Sequence, residues 1–177
     1  LFLKDNGTLW AMGTNSFGQL GDGTTQQRIT PIQVPGVNEV DYISAGWGFS
    51  VFVKSDGTLW GMGQNNYGQL GDGTTTDRNA SVQIQSSNVI AIAAGQYSSL
   101  FLKTDGSLWA MGRNQNGQLG DGTTTERHTP VQIESSGVIA IACNEDESHS
   151  LYVKTDGSLW ATGHNSYGQL GDGTTIK

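Results

Sequence analysis

The sequence runs to 177 residues, of which 14% are charged and 35% hydrophobic while 26 are glycine, a balance that points to many tight turns. Nine basic residues against sixteen acidic ones give a formal charge of −7, and no segment gathers Lys or Arg into a patch able to neutralise phosphates, which argues against direct nucleic-acid binding. A single cysteine, Cys143, excludes an intrachain disulfide, and no run approaches the ~18 apolar residues of a membrane-spanning helix.

In chain order, Leu1-Phe2-Leu3-Lys4 reads as a short apolar strand, followed by an Asn6-Gly7 turn signal and a second strand around Leu9-Trp10-Ala11. The glycine-rich string Gly18-Gln19-Leu20-Gly21-Asp22-Gly23-Thr24-Thr25 comes next. The whole stretch from Gly7 to Thr25 returns nearly unchanged from Gly57, Gly106 and Gly157, and Trp10, Trp60, Trp109 and Trp160 are spaced by 50, 49 and 51 residues. A period near fifty is the mark of a repeat architecture. The third copy is the most regular: strand a is expected near 89–94, b near 99–103, c near 107–111 and d near 130–133. Asp105-Gly106 between b and c, like Asn6-Gly7, Asp56-Gly57 and Asp156-Gly157, predicts a hairpin with a type I′ turn. Pro130 places strand d at a sheet edge.

Four short strands per ~50 residues, with no helical periodicity, describe an all-β fold of β-propeller blades, each of four antiparallel strands. Ladder and solenoid folds compete, but their rungs usually repeat at shorter periods and lack a proline-marked edge strand. The repeats fall at about 1–39 (strands b to d only), 40–88, 89–137 and 138–177 (strands a to c only), or about three and a half blades in a single propeller segment. A propeller is stable because it closes on itself. The expectation is therefore an open-ended fragment completed by the rest of a longer chain or by other chains.

The string Gly-x-Asn-x-x-Gly-Gln-Leu-Gly-Asp-Gly, preceded by Asp-Gly-x-Leu-Trp-Ala-x-Gly and followed by Arg-x-x-Pro-Val-Gln-Ile, resembles the regulator of chromosome condensation repeat along the whole chain. That resemblance implies a seven-bladed propeller, of which about half is present. The family also tends to carry Gly-x-x-His-Ser between strands a and b. Here Gly46-Trp47-Gly48-Phe49-Ser50 and Gly95-Gln96-Tyr97-Ser98-Ser99 depart from it, and only His149-Ser150 keeps the pair, after an acidic insertion at Glu145-Asp146-Glu147. Among family activities are nucleotide exchange on a small GTPase, chromatin binding and inhibition of β-lactamases by propeller loops, so fold does not fix function. The close internal identity of the copies resembles bacterial surface or secreted members, which implies an extracellular or cell-surface location, with the cytoplasm left open.

The recurring motifs read as structure. A phosphate loop needs a Lys and a helix N-terminus that the glycine-rich string lacks, and one aspartate per repeat (Asp22, Asp72, Asp121, Asp172) falls short of the six to eight oxygens of a calcium site. These aspartates are expected to bond nearby backbone N–H groups, with Leu20, Leu70, Leu119 and Leu170 anchoring the turn. The four repeat tryptophans are expected to pack between blades, and Arg28, Arg78 and Arg127 to pair with the preceding Asp. His128, His149 and His164 lack a second ligand at metal spacing, Cys143 reads as a small buried residue, and no nucleophile, base and orienter come together. No cofactor, metal or enzymatic activity is expected.

Positions that vary on this fixed frame cluster in loops: Thr14, Ser16 and Phe17; Gln64, Asn66 and Tyr67; Arg113, Gln115 and Asn116; His164, Ser166 and Tyr167. A second set follows strand a. Loops on a rigid scaffold carry binding residues, and aromatic side chains supply most interface energy. The candidate partner-binding residues are therefore Trp47, Phe49, Gln96, Tyr97, Glu145, Asp146, Glu147, Phe17, Tyr67 and Tyr167. The expected function is a non-enzymatic module that binds a protein partner. A carbohydrate-binding propeller, a guanine-nucleotide exchange factor and a structural spacer or self-assembling unit remain the alternatives.

Overall fold

A computed structural model describes residues 1–144 and 149–176. The first sheet holds β1 (Phe2–Leu3), β2 (Leu9–Gly13) and β3 (Arg28–Gln33). The second holds β4 (Val40–Ala45), β5 (Phe49–Lys54), β6 (Leu59–Gly63) and β7 (Arg78–Gln85), and the third β8 (Val89–Ala94), β9 (Ser98–Lys103), β10 (Leu108–Gly112) and β11 (Arg127–Glu134). The fourth is built from β12 (Val138–Cys143), β13 (His149–Lys154) and β14 (Leu159–Gly163). Within each sheet the strands pair antiparallel in chain order, which is the meander of a propeller blade.

Strand a of the third repeat matches its expected span, whereas strand d begins at Arg127 rather than near residue 130. Arg127 pairs with Gly112 beyond an irregularity in the ladder, and the polar Arg127-His128-Thr129 run carries no alternating apolar signal from which a strand start could be read. Pro130 lies on the edge strand, as its missing N–H requires.

The hairpins differ from expectation. Gly7, Gly57, Gly106 and Gly157 have φ of 73° to 83°, but none of the Asn or Asp residues before them has positive φ. A type I′ turn is thereby excluded. Gly7 N donates to Lys4 O (2.9 Å) and Lys4 N to Thr8 O (3.1 Å), so the connection is a type I turn whose fourth residue is the left-handed glycine. Asn6 contributes through its side chain instead, accepting from Thr8 N and Thr8 Oγ1.

Three apolar layers lie between successive sheets, each built from equivalent positions. Leu9, Ala11 and Leu20 meet Val40, Phe52 and Met62; Val51, Val53, Leu59 and Leu70 meet Val89, Phe101 and Met111; Leu100, Leu102, Leu108 and Leu119 meet Val138 and Tyr152. Of the repeat tryptophans, Trp60 and Trp109 lie at the rim of these layers, whereas Trp160 is exposed. Trp60 and Trp109 are half-buried, stack on Phe52 and Phe101 at interplanar angles of 8° and 5°, and are capped by Lys54 and Lys103. Each indole N–H donates to the hydroxyl two residues earlier.

The innermost strands also touch, Ala94 N donating to Ser44 Oγ (3.0 Å) and Cys143 Sγ approaching Ala93 O (3.6 Å). Cys143 is half-buried rather than fully buried as a residue, between the exposed Ala45 and the buried Ala94 that hold the equivalent positions. Its thiol is nevertheless tucked against strand β8, and burial pushes its pKa up to about 12.

Candidate interaction surface

In an a-b-c-d meander the a–b and c–d connections emerge at one end of the blade and the b–c hairpins at the other. The c–d loop is held by a hub that no charge pattern announces. Asn65 is fully buried: its Oδ1 accepts from Leu70 N (2.9 Å), and its Nδ2 donates to Asp72 Oδ1 (3.0 Å) and Thr74 O (3.1 Å). Asn15, Asn114 and Asn165 repeat the arrangement. Asp72 also accepts from Thr74 N, and its second oxygen takes the Nε of Arg78 at 2.7 Å, with the equivalent pairs at Asp22–Arg28 and Asp121–Arg127. Burial works to raise the pKa of Asp22, but hydrogen bonds from Thr24 and Arg28 outweigh it and hold the carboxyl at about 2. These bonds satisfy the expectations for the aspartates, arginines and leucines of the string.

Each hub fixes the residue at its tip. Phe17 N, Tyr67 N, Asn116 N and Tyr167 N all donate to the side-chain oxygen of the glutamine two residues on, at 2.9 to 3.0 Å. The loop then leans on the next blade. A Cβ on Gly68, whose φ is +74°, would lie 2.5 Å from His128 Cα, and Gly73 N donates to His128 O. On the inner side Ser50 Oγ donates to Gln19 O (2.9 Å) and Ser99 Oγ to Gln69 O (2.8 Å). At these two junctions the serine at the end of the Gly-x-x-His-Ser pattern thus ties the a–b loop to the c–d loop of the preceding blade.

This stitching brings predicted site residues together in pairs thirty apart in sequence. Phe17 and Trp47 meet at the first junction with ring centroids 5.9 Å apart, and Tyr67 and Tyr97 at the second with 5.0 Å. Trp47 and Tyr97 join the pairs at 5.8 Å, so four rings from three blades form one strip. Trp47 is 57% exposed, and the other three are half-buried. A Cβ on Gly48 would sit 3.0 Å from Phe17 Cδ2, so glycine at that point lets the Trp47 loop lie against Phe17. Gln96, half-buried, precedes Tyr97 in the same loop.

Arg113, which the sequence marks only as one of many variable loop positions, completes the strip. Its guanidinium lies 5.4 Å from the Tyr67 ring and 5.7 Å from that of Tyr97, and Gln115 Oε1 accepts from its Nε and Nη2.

The other candidates separate. Phe49 is 1% exposed and belongs to the apolar layer between the second and third sheets, so it cannot meet a partner. It occupies the histidine position of the family signature, where the start of strand b turns the side chain inward. Tyr167, 79% exposed, packs edge-on to His164 and is not joined to the strip. Glu145, Asp146 and Glu147 lie outside the described residues. Among the described residues no group of three or more His, Cys, Asp and Glu could hold a metal ion.

Antiparallel four-stranded meanders, packed face to face with their inner strands adjacent, define a β-propeller. The model of the "Regulator of chromosome condensation (RCC1) repeat" matches residues 6–53, 56–102 and 105–150, and a second model of the same repeat matches 40–69, 89–118 and 138–169. The chain belongs to this repeat family. Its fold is similar to yeast RCC1 (Prp20) in the complex with Kap60, at 22% identity and a TM-score of 0.86, over 100% of this chain and 44% of that one. Human WBSCR16 gives 22% identity and 0.84, over 99% and 47%. Prp20p from Saccharomyces cerevisiae, described with its binding properties to Gsp1p and histones, gives 23% and 0.84, over 98% and 45%. The chain therefore spans less than half the length of these solved structures. No curated protein sequence matches it.

Proposed function

We propose that this chain is a non-enzymatic protein-interaction module whose partner docks on the aromatic strip of Phe17, Trp47, Tyr67 and Tyr97. One observation carries the reading: rings from four loops of three blades converge on a continuous, partly exposed surface, and each loop is pinned by buried side-chain hydrogen bonds. Rigid aromatic side chains lose little entropy on binding and dominate interface energetics. Propellers of the same fold that bind proteins, among them yeast RCC1 (Prp20) with Kap60, support the class of function but not the partner.

The test is quantitative affinity capture from the source organism with the wild-type protein, with the double variant Trp47→Ala/Tyr97→Ala, and with Asn6→Ala at the opposite end. Loss of two central aromatic contacts is expected to cut recovery of the true partner by about thirtyfold or more. Asn6→Ala should leave it unchanged. If every captured protein is recovered equally by all three, the strip is not the docking surface.

A further inference from the structure

The polar groups on the strip share one character. Each repeat tryptophan gives its indole N–H to a neighbouring hydroxyl, and the Tyr152 hydroxyl donates to Glu134. By contrast, among the described residues neither the indole N–H of Trp47 nor the hydroxyls of Tyr67 and Tyr97 has a partner. Arg113 is held in place by Gln115 yet makes no ion pair with a described carboxylate. The strip therefore offers three hydrogen-bond donors of aromatic side chains and, at one end, a preorganised cation.

Such a surface suits a ligand that is apolar, rich in acceptors and negatively charged at one point. A polyproline-II segment meets the first two requirements, since its backbone carbonyls are unpaired, its prolines lack N–H groups, and the helix forms at low entropic cost. Two residues of that helix rise ~6.2 Å, close to the steps between successive rings. Those rings are inclined to each other by 47°, 62° and 52°, so they make a row of shallow clefts and no two share a plane on which a run of sugars could stack.

We infer that the strip binds an extended proline-containing peptide segment bearing an acidic residue, whose prolines lie against Trp47, Tyr97 and Tyr67 and whose carboxylate pairs with Arg113. The inference rests on the strip being the protein-docking surface and adds the chemistry of the partner. An Arg fork matches a carboxylate with two parallel N–H donors, which lysine cannot reproduce.

The experiment is selection of a random dodecapeptide display library on the purified protein, with counter-selection on Trp47→Ala, followed by fluorescence anisotropy with the enriched peptides. Enriched sequences are expected to carry prolines two or three residues apart with Asp or Glu within three residues of them. Binding should weaken at least tenfold in Arg113→Gln, remain weak in Arg113→Lys, and weaken tenfold when the peptide acid becomes its amide. In Arg113→Gln, whose thermal midpoint should match wild type, the acid-to-amide change should have no further effect. Peptides that need Trp47 but neither Arg113 nor their own acid and prolines would overturn the inference and leave the docking surface standing. Peptides indifferent to Trp47, no enrichment over the Trp47→Ala background, or binding of cellohexaose instead, would overturn both.

Discussion

Replacing Asn65 by alanine tests whether the rigidity of the strip originates in the buried hub beneath it. Asn65 and Leu70 are each 0% exposed, so the Leu70 N–H that loses its acceptor cannot turn to water. A buried donor left unpaired costs ~1–3 kcal/mol. The Asp72 carboxylate is buried but keeps its bonds from Thr74 and Arg78, and Thr74 is half-buried, so the loss of their 3.0 and 3.1 Å bonds adds roughly 0.5–1 kcal/mol. The expected destabilisation is therefore about 2–4 kcal/mol, or a fall of about 5–15 °C in midpoint for a chain of this length. Exposed Asn66, the next residue, supplies the control, and its alanine variant should stay within about 0.5 kcal/mol of wild type. Asn65→Asp should cost at least as much as Asn65→Ala, since it puts a second carboxylate against Asp72. Urea unfolding at pH 7 followed by tryptophan fluorescence measures all three. If Asn65→Ala unfolds within 0.5 kcal/mol of Asn66→Ala, the hub does not hold the loop and the preorganisation of Tyr67 needs another origin.

Three further outcomes are expected. Gly23→Ala, at φ +80° with open space around it, should cost ~1–2 kcal/mol from backbone strain alone, whereas Gly68→Ala should cost more in thermal melts because its methyl would also strike His128 Cα. Acid should unfold the protein through its loop aspartates: a folded pKa of about 2 at Asp22, against an ordinary value of 3.8, gives stability that is present above pH 3.8 and lost as pH falls through about 2, with Asp72 and Asp121 shifted in the same direction. Melts from pH 5 to 2 should show that decline, and Asp22→Asn should flatten it. Tyr152→Phe, which restores the residue type of Phe52 and Phe101, should lose ~1 kcal/mol in urea unfolding through the 2.9 Å bond to Glu134 that joins the third and fourth sheets.

The blade was legible in the sequence because its signals are local. Val89 to Ala94 is an uninterrupted apolar run before a glycine, and β8 occupies that run. Where a choice depended on pairing, local signals failed. Asp-Gly announces a hairpin without stating its geometry, and the bond from Lys4 N to Thr8 O, which sets the loop length, decides for a type I turn. Of the repeat tryptophans expected between blades, Trp60 and Trp109 pack against the apolar layers whereas Trp160 is exposed, and the rim position of the first two follows from a lysine cap and a cross-strand Phe partner, as in Phe52 opposite Trp60.

The surface was only half legible, for a geometric reason. The fifty-residue period identifies equivalent positions, yet the residues that touch across a junction are thirty apart, because strands d and a lie between the c–d loop of one blade and the a–b loop of the next. Phe17 with Trp47 and Tyr67 with Tyr97 share that offset, as do Gln69 and Ser99, whose bond fixes the loops against each other. An aromatic search of the variable loops therefore finds the rings but also collects Phe49, which faces inward, and Tyr167, which stands apart. Arg113 carries no aromatic signal, and at the equivalent place the other copies have Thr14, Gln64 and His164, so nothing in the repeat marks it. Its role depends on Tyr67, forty-six residues earlier, and on Tyr97 beside it in the same blade. The rings of the variable loops are held as one strip because the recurring Asn, Gln and Ser side chains fix the loops that carry them. Changing the rings or Arg113 should alter what binds, whereas changing the hub should alter how firmly anything can.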